Sequence, residues 1–164
     1  MEISVQKRIF IVFLVTLFVS SCAFHFGTEN LTHKNIQNIT KGLSTQTDIA
    51  KMFGKPEWQS PRGSFDTVKW FILTTLNQIK NQKCEELLSL ETQSKYPVEN
   101  AIFALENMGL PHNTYESWCY YIKTDTIFIF PLPCVENKRY IFYIFDDSGI
   151  VIDTIRAEKV YYYY

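Results

Sequence analysis

The 164 residues set a default of one domain, and a formal net charge of −1 excludes both the basic surplus of a nucleic-acid binder and the acidic block of a solvated tail. Hydrophobic residues make up 46% of the chain. With ten tyrosines and thirteen phenylalanines, this excludes intrinsic disorder and favours a structured sheet.

The N-terminus has a recognisable layout. Lys7 and Arg8 form a positive patch, the apolar run Ile9–Val19 follows, and then come Ser20, Ser21, Cys22 and Ala23. These eleven residues, all apolar but Thr16, span about 16 Å as a helix, well short of a hydrocarbon core of about 30 Å. The pattern therefore predicts a signal peptide over residues 1–21, with an uncleaved signal anchor as the alternative. Val19–Cys22 also resembles the lipobox of bacterial lipoproteins, in which the cysteine is diacylated and becomes the mature N-terminus. Two or three acyl chains hold a protein on a bilayer where one is marginal. By resemblance to enterobacterial lipoprotein sorting, the absence of Asp at position 23 (it is Ala23) favours the outer membrane. Residues 22–31 are then expected to be a lipidated tether, reaching at most about 30 Å.

With Cys22 acylated, Cys84, Cys119 and Cys134 remain, an odd number for an oxidising compartment. Two readings stay open. Cys119 and Cys134 flank a loop in a strand-rich region and can form a disulfide, leaving Cys84 spare in a predicted helix. Alternatively, all three are unpaired and buried as small hydrophobes. None has the Cys-x-x-Cys spacing of a redox or zinc motif.

Along the mature chain, residues 32–41 predict a short helix with Thr32 as N-cap, Ile36 and Ile39 on one face and Gly42 at its end. A second helix follows within Leu43–Glu57. Thr45 and Asp48 have capping-box spacing, Ile49, Met52 and Phe53 supply the apolar face, and Gly54 with Pro56 stops it. The alternation of Val68, Trp70 and Ile72 with polar and aromatic neighbours predicts a first strand over Phe65–Leu73. Helical spacing then predicts a helix over Thr75–Leu90, and another opening near Pro97 and ending at Gly109. The last third reads as strands at Ser117–Lys123, Thr126–Phe130 and on both sides of an Asp146–Gly149 hairpin turn. Val160–Tyr164 is either an edge strand or an exposed aromatic patch. Ile49–Pro56 leading to Trp70 echoes Ala104–Pro111 leading to Trp118, as an internal duplication or two ordinary helix stops would.

Ile39–Glu57, with its Gly, hydroxyl residues, short helix and Gly-x-Pro, resembles the SmpA/OmlA (BamE-like) family of small outer-membrane lipoproteins. Tyr140–Asp153, an apolar strand followed by Asp, a turn Gly and a final strand, is similar to the same family's C-terminal region, and the lipobox agrees. The resemblance implies an α+β fold, with two short N-terminal helices on a three-stranded antiparallel sheet. It places a BamE-like domain over 32–164 with a helical insertion at about 74–113. Either Trp70 or Trp118 fills the family's aromatic-strand position. The resemblance further implies a lipid-anchored scaffold or binding protein facing the periplasm, with envelope partners that include the β-barrel assembly machinery. The alternatives are an inhibitor or ligand-binding module on the same scaffold and a purely structural envelope lipoprotein.

No enzymatic motif is present in the sequence. His25, His33 and His112 are scattered, Glu85–Glu86 reads as a helix surface, and Asp146–Asp147 reads as a turn. The expectation is a non-enzyme with no cofactor, no metal and no nucleic-acid partner, whose one assigned site is lipidation at Cys22.

Overall fold

The computed structural model describes residues 22–27, 30–81, 89–92, 96–111, 113–127 and 134–163. The fold is α+β. Three long strands, β4 (Glu116–Ile127), β5 (Cys134–Phe145) and β6 (Val151–Tyr163), form an antiparallel meander. Shorter strands widen it: β1 (Cys22–Gly27) and β2 (Trp58–Gln59) both pair with β4, and β3 (Ser89–Thr92) pairs with β6. The sheet order is β1-β4-β5-β6-β3, wider than the three strands expected.

Helices cover both faces. Helices α1 (His33–Gln37) and α2 (Gln46–Phe53) lie on one face, where Ile49 and Phe53 pack against Tyr120, Ile141, Tyr143 and Phe145. Helices α3 (Phe65–Asn81) and α4 (Val98–Glu106) lie on the other, where Val68, Ile72, Leu76 and Leu105 meet Cys119, Tyr140, Phe142 and Ile144. Successive strand residues point to opposite faces, so a strand buried on both sides reads as an unbroken apolar run. This explains the run from Tyr140 to Phe145, every residue of which is buried.

The local chemistry of the first two helices follows the sequence. The Thr32 hydroxyl accepts from the Asn35 N–H at 3.2 Å, and Thr45 and Asp48 form a reciprocal capping box. Gly54 ends α2 at φ +78°, and Gly149 takes φ +76° in the hairpin turn, a region that disfavours a side chain. The Tyr120 hydroxyl donates to the Gly54 carbonyl at 3.0 Å, fixing the end of α2 to the sheet.

Several expectations are corrected. Phe65–Leu73 is helical: Val68, Ile72, Leu76 and Ile79 are buried at helical spacing, whereas Trp70 is 69% exposed. Its short alternation mimicked a strand because two turns of helix also place apolar residues two apart at their margins. The helix expected over Thr75–Leu90 thus starts at Phe65 and is described to Asn81, and Leu90 lies in β3; Cys84, Glu85 and Glu86 are outside the described residues. Two helices and β3 together occupy residues 65–106, the part of the chain where a helical insertion was expected at about 74–113. The echo is no repeat, since Trp70 is helical and Trp118 stands in β4. The free tether expected at residues 22–31 is for the most part a paired strand, with Cys22 opposite Ile127 and Gly27 opposite Ile122. Val160–Tyr163 is strand between β5 and β3, with Tyr161 buried.

Cys119 is a free, fully buried thiol whose cross-strand partner is Phe142. Cys134 starts the same strand eight residues away, about 26 Å along it, so the disulfide between Cys119 and Cys134 does not form.

One row of the sheet sets three lysines directly side by side: Lys123 opposite Lys138, and Lys138 opposite Lys159. Like charges in register repel, and two arrangements relieve this. Glu136 is buried and takes Lys123 Nζ at 2.6 Å and Lys138 Nζ at 2.9 Å. Lys159 turns to the C-terminus of α3 and donates to the Lys80 carbonyl at 2.8 Å, where the helix dipole favours a cation.

Burial pushes the Glu136 carboxyl up, but the hydrogen bonds and charges of Lys123 and Lys138 outweigh it and hold the group below its usual 4.5. A depressed carboxyl contributes stability that is complete above the unfolded value and is lost as pH falls through the folded one. Acid unfolding below about pH 4.5 is therefore expected to be shallower in Glu136→Gln, measured by circular dichroism against pH. The Tyr143 hydroxyl is buried without a hydrogen-bond partner among the described residues. Tyr143→Phe should therefore be neutral or stabilise by up to about 1 kcal/mol in urea titration.

Candidate functional site

The expected lipidation residue, Cys22, is the first residue of β1. Its partner Ile127 ends β4, and Cys134 and Tyr163 pair at the corresponding end of β5 and β6. Cys22 is therefore at the end of the sheet opposite the Asp146–Gly149 hairpin turn, with no free chain between the cysteine and the first ladder bond.

Among the described residues the histidines do not converge. His25 belongs to β1 and His33 opens α1, while His112 is outside the described residues. Among the described residues no group of three His, Cys, Asp or Glu is placed to hold a metal ion. Burial pushes the Cys119 thiol well up, and nearby Glu57 adds to this, so it stays protonated and unreactive. Asp146 is spent on the turn, where its Oδ1 accepts from the N–H groups of Ser148 and Ile150.

The most connected carboxylate is Glu116, buried at the start of β4. It accepts from Trp118 Nε1 at 2.6 Å, from Gln46 Nε2 at 3.2 Å and from Gln59 Nε2, and Arg62 Nε lies at 3.6 Å. These donors come from α2, β2, the following loop and β4. With its oxygens so occupied, Glu116 joins four segments of the chain.

Two cavities lie along β6. On the α1 face a cavity of about 360 Å³ is lined by Ile36, Tyr96, Arg139, Ile141 and Arg156. On the α4 face a second, of about 490 Å³, is lined by Ala101, Ala104, Met108 and Ile155. Both also contain Tyr96 and Arg156. Arg139 Nε donates to Glu158 at 2.9 Å, and Asn137 Nδ2 donates to the same oxygen at 2.8 Å. Arg156 lies over the Tyr96 ring, 5.8 Å from its centroid, a cation–π contact. Sequence reasoning missed these residues. The available signal was an arginine beside an apolar residue in each of two long strands, but only the fold brings Tyr96 beside them.

Glu116→Ala would leave the Trp118, Gln46 and Gln59 donors and the Arg62 guanidinium facing a vacant centre. A loss of about 2–3 kcal/mol is expected, measured as a lower urea midpoint with an unchanged slope.

No family model, curated protein or solved structure matches the chain significantly.

Proposed function

We propose that this chain is a lipid-anchored binding or scaffold protein of the bacterial outer membrane, facing the periplasm and acting as an accessory factor in β-barrel protein assembly. The observation that carries the anchoring is the place of Cys22. A lipobox cysteine directly precedes a run of paired backbone, so acyl chains on it hold the sheet end beside the bilayer with little slack. The order of elements supports a BamE-like core: α1 and α2 come first, on one face, and the β4–β6 meander comes last. In this reading residues 65–106 are an insertion that covers the opposite face. The charge distribution and the occupied carboxylates suit binding better than chemistry.

A second reading, a ligand-binding module on the same scaffold, draws on the two cavities that the insertion and α1 build along β6.

Replacing Cys22 by Ala should abolish palmitate labelling and move the protein from the membrane to the soluble fraction. Persistent labelling of the variant would sink the anchor. Quantitative pull-down of the lipidated protein after mild crosslinking tests the assembly role. Enrichment of barrel-assembly subunits is expected, and their repeated absence beside other enriched partners would refute that role.

A further inference from the structure

The outer edge of β6 is covered in two places, and among the described residues it is open between them. Near the hairpin turn, the Val151 N–H donates to the Ser44 carbonyl and the Val151 carbonyl accepts from Gly42, both at 2.8 Å. Further on, the Glu158 N–H donates to the Tyr96 carbonyl at 2.7 Å, and Val160–Tyr163 pair with β3.

Alternate residues of an antiparallel edge strand turn their backbone groups outward. Glu158 faces outward, so Arg156 and Thr154 do as well. A bulge opposite the Ile144–Phe145 step absorbs Ile152, which lets Val151 also face out. The Thr154 N–H is taken by Asp153 Oδ1 at 2.6 Å. Among the described residues nothing bonds the Thr154 carbonyl or the Arg156 N–H and carbonyl from outside the sheet. Such an edge is a template for another strand.

The two cavities lie on either side of this stretch. Arg156 projects on the same face as its neighbour Ile141, toward α1, whereas Ile155 projects toward α4. We propose that residues 154–156 receive an extended segment of a partner protein as an added antiparallel strand. An acidic side chain opposite Arg156 enters the first cavity, and small apolar side chains on either side of it enter the second.

Charge selects the acidic residue. Arg139 has Glu158 as its counter-ion, while Arg156 has no carboxylate within ion-pair distance among the described residues. Asp153, next along the edge, is paired with Lys41. Size selects the neighbours, because Ala101 and Ala104 leave space beneath the edge where larger residues would fill it. Backbone bonds then supply affinity and the alternating cavities supply specificity. A second copy of this chain fits less well. Two-fold pairing about Ile155 would set Arg156 against the partner's Thr154 and leave both guanidinium charges unanswered.

The inference rests on the binding-protein reading for the existence of a partner, and not on the lipid anchor. It is tested with the full chain in detergent, so failure of Cys22 lipidation leaves it intact. The probe is a fluorescein-labelled Thr-Val-Glu-Val-Thr peptide followed by anisotropy, with the central Asp and Lys versions beside it. Saturable binding is expected for the Glu and Asp peptides. It should weaken at least tenfold on N-methylation of the central amide, on the central Lys exchange and in Arg156→Glu. Combining Arg156→Glu with the Lys peptide should restore it. Unchanged thermal unfolding of Arg156→Glu would separate lost binding from lost fold, and Arg156→Gln is the milder substitute if it melts early. No saturable binding by either acidic peptide overturns the proposal, as does binding indifferent to N-methylation. A concentration-dependent dimer that Arg156→Glu abolishes would assign the edge to a second copy and likewise overturn it.

Discussion

The structure depends on the burial of β5 on both faces. Its even-numbered residues Tyr140, Phe142 and Ile144 need one apolar cover, and its odd-numbered residues Ile141, Tyr143 and Phe145 need another. Burying a large apolar side chain is worth about 1.5–3 kcal/mol, so neither face can be left to water. Helices α1 and α2 shield only one of them. The α3–α4 segment is therefore part of the fold and not an appendage, and its removal would expose half of the central strand.

The polar groups are arranged around that burial. Where the apolar faces end, the sheet carries a row of lysines on three adjacent strands, tolerated because Glu136 bridges two and the carboxyl end of α3 receives the third. At the other end Glu116 gathers donors from α2, β2 and β4. Each cluster joins segments distant in sequence at a place where the hydrophobic layer is thin. Burial costs such groups their hydration, so each is satisfied by several partners rather than one. The same logic makes Arg156 distinctive, since its charge meets an aromatic face and no carboxylate among the described residues.

The edges follow from chain routing. The outer side of β4 is closed by β1 and β2, and that of β6 by β3 and by the α1–α2 loop. Among the described residues these covers do not reach along the whole thirteen-residue strand. The gap falls where the bulge at Ile152 changes which residues face outward, and α4 runs along it without bonding its backbone.

Local sequence determined what depends on near neighbours: the Thr32 and Thr45 caps, the Gly54 stop, the Asp146–Gly149 hairpin turn, the α4 segment and the strong strands of the last third. These signals act within a turn or a few residues, and nothing distant overrides them. The α+β class followed from their order. Tertiary structure decided the rest. Whether Phe65–Leu73 became helix or strand turned on which of its residues met the sheet, and a nine-residue window fits both periods. Whether Cys119 met Cys134 turned on register, which cross-strand pairing over a long meander sets and spacing does not reveal. The pairing of Cys22–Gly27 with β4 was equally illegible, because an edge strand borrows its stability from the strand it joins. The cavities along β6 came from segments sixty residues apart in the chain, brought together by the demand to cover both faces of β5. That demand is visible in the sequence only as a run of apolar residues; where the cover comes from is settled by the fold.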